Sequence, residues 1–259
     1  MLFTEKYFGL SGKTAVVIGG GGVLAGTMAE GLARAGANVC ILDLNLDAAR
    51  RKAKQISDAG IDTLAVEVDA SDRGSLENAL QHICDKFRQI DILINAPGIN
   101  SSTPFLEIEE VEWDRIMAVN LKSMFMSCQV FGEKMIENAD GGSIINVSSA
   151  SSGPPLSRVF TYSISKAGVN NLTQYLAREW ASHKVRVNAI APGFFPAEQN
   201  RKILTEERIN DIFRHTPMNR FGDPDELIGA VIWLASGKAS SFVTGAVVRV
   251  DGGFSAMTI

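Results

Sequence analysis

Apolar residues along the chain follow two rhythms that alternate from one end to the other. Short runs rich in Val, Ile and Leu occur at Thr14–Ile18, Asn38–Leu42, Thr63–Val68, Ile90–Ile94, Ser143–Val147, Val185–Ile190 and Ala246–Val250. Unbroken runs of this length read as strands buried on both faces rather than as strands with one wet side. Between them lie longer stretches in which apolar positions recur every three or four residues. Val23–Ala35 sets Leu24, Met28, Leu32 and Ala35 on one helical face and stops at Gly36, a suitable C-terminal cap. Asp47–Ala59 (closed by Gly60), Ser75–Phe87, about Val111 to Ile136, Tyr162–Ala181, Thr205–His215 and Asp225–Ala235 read as helices in the same way. Strand and helix in succession predict an α/β fold with a doubly wound, parallel, seven-stranded sheet flanked by helices. No internal repeat, low-complexity tract or Pro/Gly/Ser-rich linker divides residues 1–259, so a single domain is expected.

Composition narrows the partners. The chain has 259 residues, 46% hydrophobic and 21% charged, with a formal net charge of −4. That is enough to enclose a large core, and there is no basic excess to neutralise nucleic-acid phosphates. Cys40, Cys84 and Cys128 are scattered without metal-ligand spacing, and the three histidines are dispersed, so no metal is expected. The opening MLFTEKYFGLSGK lacks a basic segment followed by an apolar one, and no apolar run approaches the roughly 18 residues of a membrane span. A cytoplasmic protein without membrane contact is the expectation.

Candidate chemistry begins after the first strand. Ile18-Gly-Gly-Gly-Gly-Val-Leu-Ala25 lies where a dinucleotide-binding turn of the Rossmann type belongs. Glycine lets the backbone approach a pyrophosphate that the helix N-terminus then stabilises. Glycines that merely form a turn would look the same, but Asp43 ends the second strand near the roughly twenty-residue offset of a ribose-binding carboxylate. A carboxylate there repels a 2′-phosphate, and no Arg follows in Asp43-Leu44-Asn-Leu, so NAD is expected over NADP.

Further on, Tyr162-Ser-Ile-Ser-Lys166 sets a phenol and an ammonium four residues apart on one helical face. A phenol of pKa about 10 is a poor acid–base group at neutral pH, and a nearby ammonium would pull it toward the working range. A lone pair at this spacing is ordinarily a surface pair. Here it follows a strand ending in Asn146-Val-Ser148-Ser149, which brings a hydroxyl to the strand's carboxyl end.

With these motifs in order, the chain resembles the short-chain dehydrogenase/reductase family over essentially its whole length. Further matches are Asp69 after the third strand, Asn95-Ala-Pro-Gly98 after the fourth, Val119-Asn120-Leu121, Pro192-Gly193 after the sixth, and Val250-Asp-Gly-Gly253. The resemblance implies a catalytic set of Asn120, Ser149, Tyr162 and Lys166. In it Ser149 polarises the substrate carbonyl, Tyr162 exchanges a proton, Lys166 lowers the tyrosine pKa and holds the nicotinamide ribose, and Asn120 anchors a water of a proton relay. Ser148 is expected to support the turn. Cofactor contacts implied are Gly19, Gly21, Gly22, Val23 and Leu24, then Asp43 and Leu44, with Asp69 and Ala70 at the adenine. Asn95, Ala96 and Pro97 would line the cofactor path, joined by Tyr162, Lys166, Pro192, Gly193 and Phe195. The chain departs from the family at Val23 and Ala25, where glycine is usual, at Asn95-Ala-Pro-Gly98 in place of Asn-Asn-Ala-Gly, and at Ala197, where a threonine often stands.

The stretch Pro192–Arg201 and His215–Gly222 is similar to sugar-acid dehydrogenases of the D-mannonate oxidoreductase (fructuronate reductase) type, as are the glycine turn and the tail Val250–Ser255. A substrate lid is expected over about 193–220, with Phe194 and Phe195 packing inside it. Gln199 and Arg201 could bind hydroxyls and a carboxylate, and Arg158 is a second carboxylate candidate. Asn100, Ser151 and Ser152 are possible hydroxyl partners. Both arginines could equally be solvated surface charges.

The leading expectation is NAD-linked interconversion of a sugar-acid alcohol and its ketone, such as D-mannonate and D-fructuronate. Gluconate 5-dehydrogenase or another polyol dehydrogenase is the alternative, with 3-oxoacyl-carrier-protein reductase disfavoured by Asp43. From a different class, a non-catalytic dinucleotide sensor would be expected to lack the Tyr or the Lys. The C-terminal segment resembles the family's tetramer interface, so a homotetramer is expected, with Trp233 serving either the subunit core or that interface.

Overall fold

The computed structural model describes residues 2–196 and 205–257. Seven strands form one parallel sheet: β1 Thr14–Ile18, β2 Asn38–Asp43, β3 Thr63–Glu67, β4 Ile92–Asn95, β5 Gly142–Val147, β6 Val185–Pro192 and β7 Val247–Val250. Their spatial order is β3-β2-β1-β4-β5-β6-β7. The chain winds outward from β1 through β2 to β3, then crosses back to β4 and winds the other way. This is the doubly wound arrangement that the apolar rhythm predicts.

The apolar runs feed two cores. Side chains alternate across a strand, so Ala15, Val17, Val39, Ile41, Ile92 and Ile94 pack on one face of the sheet. Val16, Ile18, Cys40, Leu42 and Leu93 pack on the other. The first face is covered by α2 (Val23–Arg34), α3 (Leu46–Ser57) and α9 (Ile228–Ala235), the second by α4 (Arg73–Phe87), α6 (Ser123–Ile136) and α7 (Phe160–Trp180). Trp233, partly buried, packs against the first core and donates its indole N–H to the Ala239 carbonyl. Burial pushes the Cys40 and Cys128 thiols up to about 12, as suits small core residues.

Four elements differ from the sequence expectation, the first being the helix expected at Asp225–Ala235, which is a 3-10 turn over Pro224–Leu227 followed by α9. The strand expected at Ile90–Ile94 begins at Ile92, because the buried Asp91 carboxylate is committed to the Lys13 ammonium (2.8 Å) and the Thr14 N–H (3.0 Å) at the amino edge of β1. The helix expected from Val111 to Ile136 is α5 (Glu110–Met117), a π-turn over Ala118–Lys122, and α6. A short helix, α1 (Phe3–Phe8), precedes the first strand and is held by a hydrogen bond from Ser236 to the Tyr7 carbonyl. Beyond β6, α8 (Glu206–Arg214) starts at a Thr205 cap. Among the described residues, no helix is long and apolar enough to cross a membrane.

All strands run in one direction, so all their carboxyl ends share one rim. The reversal of winding between β1 and β4 opens a crevice there, the place where parallel α/β sheets take their ligands.

Candidate active site

The crevice has a glycine floor on one side. As β1 ends, the Gly19 and Gly20 N–H groups both donate to the Leu42 carbonyl (2.8 and 3.1 Å), and Gly22 N–H returns to Gly19 at 3.1 Å. Gly19 has φ +77°, and a Cβ there would stand 3.0 Å from the Ala96 carbonyl oxygen. The turn thus needs glycine twice over, for its backbone angle and for its closeness to β4. Gly22 starts α2 without a side-chain cap. The first amides of the helix, at Val23 and Leu24, are therefore available to an anion. Asp43 closes the turn from the side: one carboxylate oxygen accepts from Gly21 N–H at 3.0 Å and the other from Asn45 N–H at 2.9 Å. The exposed side chains of Val23 and Leu44 stand beside it. Asp69 is held by Ser71, whose N–H (2.8 Å) and hydroxyl (2.6 Å) both reach one carboxylate oxygen. Ala70 follows it, half-buried. Ala96 N–H donates to Ile18 (3.1 Å), and Gly193 N–H to Val250 (3.0 Å), which fixes Ala96-Pro97 and Pro192-Gly193 along the same rim. A backbone cradle with an uncapped helix start and a carboxylate at its edge fits a dinucleotide.

Two residues expected on this path face elsewhere. Asn95 is fully buried: its Nδ2 donates to Asn146 (2.9 Å) and its Oδ1 accepts from Ser127 (2.7 Å). Its side chain is used up within the core, because a buried amide must be satisfied there. Phe195 packs against the first core and over Gly222, where a Cβ would strike its ring, so its side chain is lid packing.

The other side of the crevice carries hydroxyls and a buried base. Ser149 sits just past β5, where its Oγ accepts from the Ser151 N–H at 3.1 Å. Tyr162 and Lys166 lie on α7 as the helical spacing requires, and Lys166 Nζ is 5.6 Å from the centre of the Tyr162 ring. Lys166, 3% exposed, donates to the Val147 carbonyl at 2.8 Å. Burial brings its ammonium down to about 8. Burial also raises the Tyr162 phenol above its ordinary value, while a hydrogen bond with Ser149 works in the opposite sense. The spacing suggests a lowering of the phenol by Lys166; in the structure burial dominates, and Ser149 is what works against it. Asn120, in the π-turn, is fully buried. It accepts from Ile99 N–H (2.8 Å) and donates to the Ile99 carbonyl (2.9 Å) and to Ser165 (3.1 Å). Gly98 lies between the two polar groups: a Cβ there would be 3.6 Å from Lys166 Nζ and 3.8 Å from Asn120 Oδ1.

The expected substrate residues divide. Arg158 is exposed at φ +69° with no ion pair or hydrogen bond among the described residues. Asn100 is exposed, its Oδ1 accepting from Ser101 N–H at 2.8 Å. Ser151 does not face the crevice: it is 1% exposed and its hydroxyl is bonded to Ser163. Gln199, Arg201 and Ala197 lie outside the described residues. Asn170 and Ser165 were absent from the expected set, yet both contact it. Continuing the four-residue step from Tyr162 through Lys166 to Asn170 is the signal that finds the first.

The family model described as "Enoyl-(Acyl carrier protein) reductase" matches residues 22–255. The curated "Uncharacterized oxidoreductase UxuB" of Bacillus subtilis (strain 168) is 40% identical, over 95% of this chain and 96% of that protein. The chain is a short-chain dehydrogenase/reductase. Two solved members overlay it closely. A putative D-mannonate oxidoreductase from Haemophilus influenza, with bound NAD, is 32% identical with a TM-score of 0.93 over 99% of both chains. A gluconate 5-dehydrogenase from Burkholderia cenocepacia J2315, in complex with NADP and tartrate, is 33% identical with a TM-score of 0.93 over 98% of this chain and 100% of that one. As a short-chain dehydrogenase/reductase, the protein acts on CH–OH groups with a nicotinamide dinucleotide.

Proposed function

We propose that this short-chain dehydrogenase/reductase interconverts a secondary alcohol and a ketone on a sugar acid with NAD, D-mannonate and D-fructuronate being the leading pair. The observation that carries the chemistry is the meeting of Ser149, just past β5, with the Tyr162 and Lys166 pair of α7, whose Nζ lies 5.6 Å from the Tyr162 ring centre, at the rim the glycine turn also reaches. A bound nicotinamide ring supplies or accepts the hydride. In the reducing direction Tyr162 gives its phenolic proton to the carbonyl oxygen while Ser149 donates a hydrogen bond to that oxygen. In the oxidising direction Tyr162 takes the hydroxyl proton, and the Lys166 charge favours the resulting phenolate over the neutral form. Asn120 joins Ile99 to Ser165, whose hydroxyl donates to the Tyr162 carbonyl at 2.7 Å, and so steadies the helix turn between the two reacting groups.

Sugar acids are supported by the D-mannonate and gluconate relatives and by Arg158, an exposed guanidinium without a carboxylate among the described residues. The two solved relatives hold different dinucleotides, so likeness alone does not choose between them. Asp43 favours NAD, because a 2′-phosphate would sit against its carboxylate. A cytoplasmic location and a homotetramer belong to the same proposal. The first is favoured by three unpaired cysteines. The second is favoured by the exposed Phe160, Ile164 and Tyr175 on α7, with Phe125 on α6 and Phe242 ahead of β7.

A spectrophotometric screen of NADH and NADPH against fructuronate, 5-ketogluconate, neutral ketoses and 3-oxoacyl thioesters tests the reading. Fructuronate with NADH should be turned over fastest, and Tyr162→Phe should abolish the rate with the fold intact. A preference for 5-ketogluconate would move the enzyme to the gluconate 5-dehydrogenase alternative, and a preference for NADPH would refute the role of Asp43.

A further inference from the structure

The turn that carries Ser149 and the helix that carries Tyr162 and Lys166 are separate pieces of chain, and one side chain fastens them. Asn170 stands on α7 one turn beyond Lys166 and two beyond Tyr162. Both ends of its amide reach the turn: Oδ1 accepts from the Ser148 hydroxyl at 2.6 Å and Nδ2 donates to the Ser152 hydroxyl at 2.8 Å. Ser152 donates in turn to the Ser149 carbonyl at 2.6 Å.

The protons in this chain of bonds have one consistent arrangement. A carbonyl cannot donate, so Ser152 gives its single hydroxyl proton to Ser149 and must receive from Asn170. The amide NH2 therefore faces Ser152, and the amide oxygen is left for Ser148, whose alternative acceptor, the Lys166 carbonyl, is more distant at 3.3 Å. Ser149 is thus gripped on both sides along the chain, through Ser148 and through Ser152, by one residue of the catalytic helix. Packing gives no reason for an amide at this position. The fully buried side chains on this stretch of α7 are Val169 and Thr173, and Asn170 is half-buried between them.

We propose that Asn170 is a positioning residue for the alcohol–ketone reaction: it sets the Ser149 hydroxyl against the Tyr162 phenol and holds both in register with Lys166. The inference rests on the roles given above to Ser149, Tyr162 and Lys166.

Two variants separate positioning from folding. Asn170→Ala removes both arms. Asn170→Asp keeps the shape and the acceptor for Ser148, but has no proton for Ser152, whose hydroxyl then turns to the new carboxylate and releases Ser149. Each should lower kcat about tenfold with KM nearly unchanged, since misplaced reacting groups cost rate rather than binding. Loosening Ser149 also removes the hydrogen bond that favours the phenolate, so the acid limb of kcat for alcohol oxidation should move to higher pH. Ser152→Ala acts on the same path, and the double variant with Asn170→Ala should lose no more than the worse single one.

A readout independent of turnover is the ultraviolet titration of the Tyr162 phenol, isolated by subtracting Tyr162→Phe. In Asn170→Ala its midpoint should rise relative to the unaltered protein. If the unaltered protein turns over no sugar acid, the functional reading fails, yet this titration still decides the positioning role. A folded Asn170→Ala with unchanged kcat and unchanged Tyr162 titration overturns the proposal. So does an Asn170→Asp variant with full activity, or an Asn170→Ala and Ser152→Ala pair whose losses add.

Discussion

At Lys166, the needs of chemistry and of stability conflict. The ammonium is 3% exposed, and burial alone brings it down to about 8. In the unfolded chain it stays protonated up to its ordinary 10.5. Between these values the unfolded state binds the extra proton, so this group makes stability climb as pH rises from about 8 to 10.5. Below that window the folded protein carries the full cost of a buried charge. Lys166→Met should therefore abolish turnover yet melt no lower than the unaltered protein at pH 7, with its relative advantage shrinking across the alkaline window. Thermal melts of both proteins over that range check the sign. The identities of such residues were plain in the sequence, but their orientation was not. Ser151 and Ser152 are neighbours of the same type, yet one hydroxyl is sealed against Ser163 and the other holds the Ser149 carbonyl. Asn95 likewise belongs to a recognisable motif, and only the packing of β4 against α6 shows that its amide turns inward to Ser127 and Asn146.

At the scale of elements, the glycine turn and the π-turn do opposite things with backbone geometry. Gly19 and Gly60 both have positive φ, but a Cβ on Gly19 would meet the Ala96 carbonyl at 3.0 Å while one on Gly60 would meet nothing within 4 Å. Gly60→Ala should cost about 1–2 kcal/mol, the left-handed penalty by itself. Gly19→Ala should cost more than that and should also weaken NADH binding, as read by denaturant melts and by fluorescence titration. Equal costs would mean that β1 and β4 can part without harm. The strands were legible because their apolar runs serve two cores at once. The π-turn was not. It spans only Ala118–Lys122 between two α-helices, too short a stretch for the sequence to read as anything but one helix through Asn120. The π-turn is nonetheless what lets Asn120 turn both ends of its amide to the Ile99 backbone. Helix α1 escaped notice for a simpler reason: six residues with no buried side chain have no periodicity to read.

For the whole molecule, the exposed apolar side chains of α6 and α7 and the fully exposed Phe242 make association the expected state. Light scattering should give four times the 27.9 kDa subunit mass, and a monomer mass would remove the tetramer from the proposal. The strand order carries a consequence for how the molecule is made. β1 pairs with β2 and β2 with β3, all within the first 67 residues, but the partner on the other side of β1 begins only at Ile92. After that, β5, β6 and β7 join one free edge in the order in which they are translated. A chain emerging from the ribosome can thus complete the glycine turn and its Asp43 neighbour before Ser149, Tyr162 and Lys166 have been synthesised. The half that holds a dinucleotide comes first, and the half that reacts is assembled onto it.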